Sequence, residues 1–315
     1  MKGVFLFTID TEWDRYPDGR QDITTYNLAR IESLHALCLE EGIRPTYFCS
    51  YEVTANNEFL KFGKRILQNN EAEIGTHLHP WSTPPVHQIE LYKRTPFPNE
   101  YPLPIFEEKL STLKTMLENR FGTQFSYRAG RFGVVKEHLA VLKRLGFISD
   151  SSVTPHLSWA GLGGPDFTTF NAKPFCWNLD SGNSNFMLEI PVGIFLRYPV
   201  LNEFVKRRLG NHFNRLFLSP LWLRPLPGQI KRLSSIAAIG VRQGHEVLHM
   251  MMHSNELHPN YNPYFKSDED VENLLKHLRS FFRWIHESTA KTMGFLPLTV
   301  NEFARLFSSR INNQQ

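Results

Sequence analysis

"GVFLFTIDTEWD", residues 3–14, decides how the rest of the chain is read. Val4, Phe5, Leu6 and Phe7 are apolar on both alternating faces, and such side chains favour strands. A strand apolar on both faces suits the middle of a parallel sheet covered by helices. It runs into Asp10, Glu12 and Asp14. Carboxylates at the mouth of a buried strand are costly unless they are paired or bind a cation. A helix cap or a solvated turn is the plain alternative for them.

Outward from that strand, the pattern repeats. Leu28, Ile31, Leu34 and Cys38 fall at helical spacing, and Gly42 follows as a stop. "RPTYFCS" (44–50) predicts a second strand, "NEFLKFGKRILQN" (57–69) a helix, and "AEIGTH" (72–77) a third strand. Residues 82–104 are rich in proline and predict a long loop, which in compact domains is often functional. Phe106, Leu110, Leu113, Leu117 and Phe121 mark another helix, and Val135, Leu139, Leu142 and Leu145 a further one closed by Gly146. "QFSYRAGRFG", "GFISDSS", "FMLEIPVGIF" and "EVLHMMMHS" carry further strands, and 268–288 a helix. Strands alternating with helices predict an α/β fold with a parallel sheet. In such folds the ligand site lies at the C-terminal strand ends. Those ends carry Asp10 and Glu12, His77 and His79, Arg128, Asp150, and His253.

Composition bounds the reading. The chain has 315 residues, 41% hydrophobic and 21% charged, as in a globular enzyme. No linker divides it, so a single domain over 1–315 is expected. A net charge of +4 argues against a nucleic-acid-binding protein. Cys38, Cys49 and Cys176 are widely spaced and give no disulfide framework or thiolate zinc site. The N-terminal apolar run is too short for a signal segment, and no stretch approaches the roughly 18 apolar residues of a membrane helix. A cytoplasmic location is the expectation. Aromatic residues, 13% of the chain, fit either a deep core or a stacking surface.

Three further stretches could carry chemistry. In "EIGTHLHPW" (73–81), His77 and His79 share one face of an extended segment and could reach one metal, or one could cap a loop. In "EVLHMMMHSNEL" (246–257), His249 and His253 share a strand face. His253, nearer the strand end, suits proton transfer, while His249 reads as a core residue and Glu256 as a weaker candidate. Arg128 and Arg131 in "YRAGRFG" could clamp a carboxylate or form surface ion pairs.

In order, strand-Asp-x-acid, Glu-Ile-Gly-Thr-His, Arg before aromatic-Gly, Gly-Phe-x-x-Asp-Ser-Ser and a late strand-end His resemble the polysaccharide deacetylases of carbohydrate esterase family 4. The resemblance covers about residues 3–258. It implies a distorted (β/α) barrel with about seven parallel strands. It also implies that Asp10 is the catalytic base, that Arg128 steadies it, and that Asp150 tunes His253, the acid that protonates the leaving amine. A divalent metal, most often zinc, would be held by Glu12, His77 and His79. The family commonly has a ligand at the position of Thr11 and another at Trp81. Here Glu12 and His79 are the substitutes. The implied reaction is metal-assisted amide hydrolysis, in which water's pKa falls from 15.7 to roughly 7–9.

The expected substrate is an N-acetylated sugar of a surface polysaccharide or its cytoplasmic precursor. A small non-sugar amide or ureide, as in allantoinase-like relatives, is the alternative. A carbohydrate-binding protein without turnover is a third reading. Residues 197–232 hold eight Lys or Arg against one Glu, with Leu216, Phe217, Leu218, Leu221, Trp222 and Leu223. They read as core-packed helices with a basic face, or as an insertion touching an anionic membrane.

Overall fold

The first strand, β1 (Gly3–Thr11), is buried at every position, as its two apolar faces require. The computed structural model describes residues 3–16, 22–92, 95–180, 185–202, 204, 208, 219–287 and 294–312. Ten more strands follow in chain order: β2 (Thr46–Cys49), β3 (Glu73–Leu78), β4 (Ser126–Ala129), β5 (Ser149–Asp150), β6 (Phe175–Asn178), β7 (Phe186–Glu189), β8 (Ile194–Phe195), β9 (Leu221–Trp222), β10 (Val247–His253) and β11 (Phe295–Leu298). The main sheet runs β10-β1-β2-β3-β4-β5-β7-β6, with β11 also on β1. Every ladder from β10 to β7 is parallel, and only β6 joins antiparallel. The expected barrel of about seven parallel strands is therefore present, as a curled and open sheet. β8 and β9 form a separate antiparallel pair.

The described residues also form helices α1 (Ile31–Glu40), α2 (Asn57–Gln68), α3 (Gln88–Tyr92), α4 (Leu103–Phe121), α5 (Lys136–Arg144), α6 (Leu233–Arg242), α7 (Asp268–Glu287) and α8 (Val300–Asn312), with shorter helical turns between them. Asn56 begins α2, its side chain accepting from the Phe59 amide at 2.9 Å. Much of the aromatic content belongs to the core. Phe5, Phe7, Phe48, Phe59, Phe106 and Phe147 are at most 1% exposed, and Phe7 packs on Phe282 of α7 with centroids 5.2 Å apart. Each such ring contributes roughly 1.5–3 kcal/mol by leaving water. No helix among the described residues is long and apolar enough to cross a membrane.

Register sets the site. Asp10 lies beside His253, His77 beside Arg128, and Tyr127 beside Asp150. The chemistry-bearing residues thus share one level, at the C-terminal ends of adjacent strands.

Two stretches differ from the sequence expectation. The long loop contains α3, and Lys109 of α4 pins it from below. Its fully buried ammonium donates to the carbonyls of Thr83 and Pro85, each at 2.6 Å, and pairs with Glu90 at 2.8 Å. Within 197–232, residues 203, 205–207 and 209–218 lie outside the described residues, and with them Lys206, Arg207, Leu216, Phe217 and Leu218. Of the described part, residues 199–202, 204 and 208 are helical, with Asn202 buried. Val200 is 85% exposed and Phe204 58%, while Leu221 and Trp222 form β9.

Candidate metal and acid–base centre

Glu12 follows β1, His77 lies near the end of β3 and His79 directly follows it, and their donor atoms lie within 4.8 Å of one another. His79 Nε2 is 2.8 Å from Glu12 Oε2 and 2.9 Å from His77 Nε2. All three residues are at most 3% exposed. His77 Nδ1 donates to the Arg128 carbonyl at 3.1 Å, which leaves its Nε2 lone pair facing the cluster. Burial pushes the Glu12 carboxyl up, but His253, His77 and His79 together outweigh it and hold Glu12 well below the usual range. Two imidazole nitrogens and an ionised carboxylate aimed at one point fit a divalent metal, and His₂Glu is a known catalytic zinc set. Asn255 Nδ2 donates to Glu12 Oε1 at 3.2 Å and fixes the carboxylate's second oxygen.

Close packing delivers His79. A Cβ on Gly130 would stand 2.7 Å from His79 Nδ1 and 2.6 Å from the Leu78 carbonyl, so only glycine fits there. Trp81 packs edge-on against the His79 ring at 4.4 Å. Thr11 turns its hydroxyl to the Ile9 carbonyl, away from the cluster. Neither departure empties the donor set, because Glu12 and His79 supply it.

Asp10 stands next to this cluster and outside it. Its Oδ1 accepts from Arg128 Nη1 at 2.5 Å, and its Oδ2 faces His253 Nε2 at 3.8 Å. Burial raises the Asp10 carboxyl, yet Arg128, His77 and His253 bring it below its ordinary value. Arg128 is fully buried. It also donates to Thr8 Oγ1, the Ser151 carbonyl, Ser151 Oγ and His249 Nε2, and lies over the Phe48 ring at 4.5 Å. His249 is a buttress: its Nδ1 donates to the Pro191 carbonyl at 3.0 Å, and burial with Arg128 beside it pushes the ring down to about 3. It is neutral and accepts from the guanidinium.

His253 ends β10 with Nε2 facing both Asp10 and Glu12 at 3.8 Å. Its Nδ1 is met by Arg224 Nη2 at 2.8 Å, and Arg224 also binds Glu256. Asp150, expected at this histidine, is elsewhere. It accepts from Ser152 Oγ at 2.5 Å and adjoins Glu189, and burial raises both carboxyls. The strand register explains the difference, since β5 and β7 carry Asp150 and Glu189 side by side, five and six positions along the sheet from β10. Asp14 also falls outside the chemistry. It accepts from Thr24 Oγ1 and from the Tyr26 amide, and from the Asn27 amide and Nδ2, all at 2.7–2.8 Å. Arg131 lies over the Phe97 ring at 3.8 Å and clamps no carboxylate of the site.

Sequence reasoning missed Arg224, Asn255 and the buttress role of His249, and it ranked Glu256 low. The first had no local signal, because β8–β9 pairing places it: the Leu223 amide donates to the Gly193 carbonyl at 2.7 Å.

Comparison with solved structures gives the fold a relative. A candidate polysaccharide deacetylase from Mycobacterium smegmatis superposes with a TM-score of 0.60 at 12% identity, covering 98% of this chain and 92% of its own. The chain has the polysaccharide deacetylase fold. The same sheet recurs in a 4-alpha-glucanotransferase from Thermococcus litoralis, with a TM-score of 0.57 at 13% identity. That match covers 96% of this chain and only 40% of the other. No family model and no curated protein sequence matches. The deacetylase fold therefore supplies architecture, and the side chains must supply the reaction.

Proposed function

We propose that the protein hydrolyses an N-acetyl amide on a sugar, with a divalent metal, zinc by its donor set, held by Glu12, His77 and His79. The observation that carries this reading is the pairing of two distinct parts. One is a buried His₂Glu cluster; the other is an ionised Asp10 beside it, tied to Arg128 and outside the cluster. When bound, the metal supplies Lewis acidity and water activation at that point. Asp10 takes the proton of the attacking water, and Arg128 keeps Asp10 ionised and aimed. Asn255 holds Glu12 in its orientation, and His253, its Nε2 3.8 Å from both Asp10 and Glu12, protonates the leaving amine. Properly placed acid–base groups contribute roughly 10²–10⁴-fold in rate.

A surface polysaccharide or its precursor is the substrate class, on the resemblance in the sequence motifs and the fold likeness together. A small amide or ureide is the rival, and binding without turnover is a second. A screen of acetate release from N-acetylated saccharides, free and nucleotide- or lipid-linked, with metal analysis of the same sample, separates them. Release that chelation stops supports the reading. Bound metal with ureide but no acetamide turnover would replace it, and sugar binding without any release would favour the third reading.

Contact with an anionic membrane through 197–232 belongs to the same proposal. Tyr198, Val200, Leu201 and Phe204 stand exposed with Arg208, whose guanidinium lies 5.9 Å from the Phe204 ring. Apolar knobs among cations suit an anionic lipid surface.

A further inference from the structure

Two arginines away from the metal centre flank one groove. One wall is the segment after β8, with Arg197, Tyr198 and Pro199. The other is a single face of α6, where Ser235, Ile239 and Arg242 follow at spacings of four and three. The space between them is about 540 Å³, within the roughly 300–1,000 Å³ usual for small-molecule sites.

The walls are tied together. Gln243 Nε2 donates to the Leu196 carbonyl at 2.5 Å, and each of these residues adjoins one of the arginines. The Phe195 ring rests on Gly240, where a Cβ would stand 2.7 Å from it, so a side chain there would push strand and helix apart. Ile239, 7% exposed, supplies an apolar floor.

Nothing in the fold uses the two cations. Arg197 and Arg242 are exposed, and neither has an ion pair among the described residues. No carboxylate lines the groove. Its free polar groups are the two guanidinium forks and the hydroxyls of Ser235 and Tyr198. Guanidinium forks match phosphate oxygens two at a time, whereas a neutral sugar or amide has no use for two positive charges. The groove is also separate from the metal centre. Arg242 lies five residues before β10 begins at Val247, and the metal centre is at the strand's other end. At about 3.3 Å per residue, the two ends of β10 are roughly 20 Å apart.

We infer that this groove binds an organic phosphate. The phosphate group is held between Arg197 and Arg242, and its apolar or aromatic body lies against Ile239, Pro199 and the half-exposed Tyr198 ring. The site stands apart from the hydrolytic reading and needs no turnover. It also differs from the proposed membrane contact, which presents Val200, Phe204 and Arg208 and does not involve α6. A nucleotide and a phospholipid head share this chemistry, and the test separates them.

Uridine diphosphate, pyrophosphate and citrate are titrated into the full chain by calorimetry at physiological salt, and phosphatidic acid vesicles are tested by co-sedimentation. Saturable binding of uridine diphosphate in the millimolar range or tighter is expected, weaker for pyrophosphate and absent for citrate. Arg197→Gln and Arg242→Gln should each weaken it by roughly 10–100-fold, the value of a hydrogen bond to a charged group. Arg242→Lys should recover only part, because an ammonium lacks the fork. Ser235→Glu, at an exposed position, should abolish binding by placing a carboxylate in the groove. Arg208→Gln and His79→Ala should leave it unchanged, which separates the groove from the neighbouring basic segment and from the metal centre. Vesicle binding that Arg242→Gln removes, with no binding of uridine diphosphate, would assign the phosphate to a lipid head. Citrate binding as tight as that of pyrophosphate overturns the inference. So does loss of binding in His79→Ala, binding that neither Arg242→Gln nor Ser235→Glu changes, or no binding of any phosphate probe.

Discussion

Asp10→Asn separates charge from shape at the centre of the site. The Asn side chain keeps an oxygen that can accept from Arg128, so the change removes a charge and little volume. Arg128 is fully buried, and its other hydrogen-bond partners are the neutral groups of Thr8, Ser151 and His249. Without Asp10 that guanidinium is a buried cation with no charged partner in contact. Breaking a buried pair by removing one member costs about 3–5 kcal/mol. The retained acceptor places this variant near the lower end, about 3 kcal/mol. Against a total stability of about 5–15 kcal/mol that is a large share. Urea unfolding at pH 7 in chelator should show it, and Arg128→Met on the same background should restore part of the loss, because the stranded cation goes with it. Catalysis should fall by roughly 10²-fold or more while metal content stays, since Asp10 is outside the donor cluster. A destabilisation below about 1 kcal/mol would refute the dry ion pair, and near-normal turnover would refute Asp10 as the base.

Three further outcomes are expected. Glu12→Gln and His79→Ala should each lower metal occupancy measured by elemental analysis, with excess metal partly rescuing the first; full occupancy in His79→Ala would remove that ligand from the set. His138 is buried against the Phe106 ring at 3.8 Å, and burial pushes it from 6.5 down to about 4. Between those values the unfolded chain binds a proton that the folded chain does not, so stability falls as pH drops below 6.5, by about 1.4 kcal/mol per unit from this residue. His138→Phe should flatten the fall measured between pH 7 and pH 5, and an equally steep loss would contradict the assignment. Replacing Arg197 and Arg208 together by Gln should weaken co-sedimentation with phosphatidylserine vesicles by about 1 kcal/mol per charge. No vesicle binding by the parent would end the membrane proposal.

The opening strand was legible because burial on both faces leaves a mark on every residue. The acids after it, and the alternation in "THLHPW", could be placed because a period of two decides which side chains share a face. His79 could be named for the same reason, although Trp81 holds the family's usual position. Arg224 could not be read, because a short pairing between β8 and β9 puts it there and that pairing has no periodic signature. Asp150 was assigned by motif order, and motif order does not say whether a carboxyl will face a distant strand such as β10 or the strand beside it. In the fold it is Glu189, on β7, that claims it.

The lysine beneath the long loop bears on how substrate is met. Lys109 binds two backbone carbonyls of the loop and one of its carboxylates from within the core. A rim secured in this way adopts its shape when the chain folds, and the entropy of ordering it falls in the folding equilibrium. Thr83 of this rim donates to the His79 carbonyl at 2.9 Å, so the segment beside that imidazole is shaped before any ligand binds, and little binding energy is consumed in shaping it. Amides of residues 83–90 should accordingly exchange with solvent on the timescale of global unfolding, with or without a saccharide present.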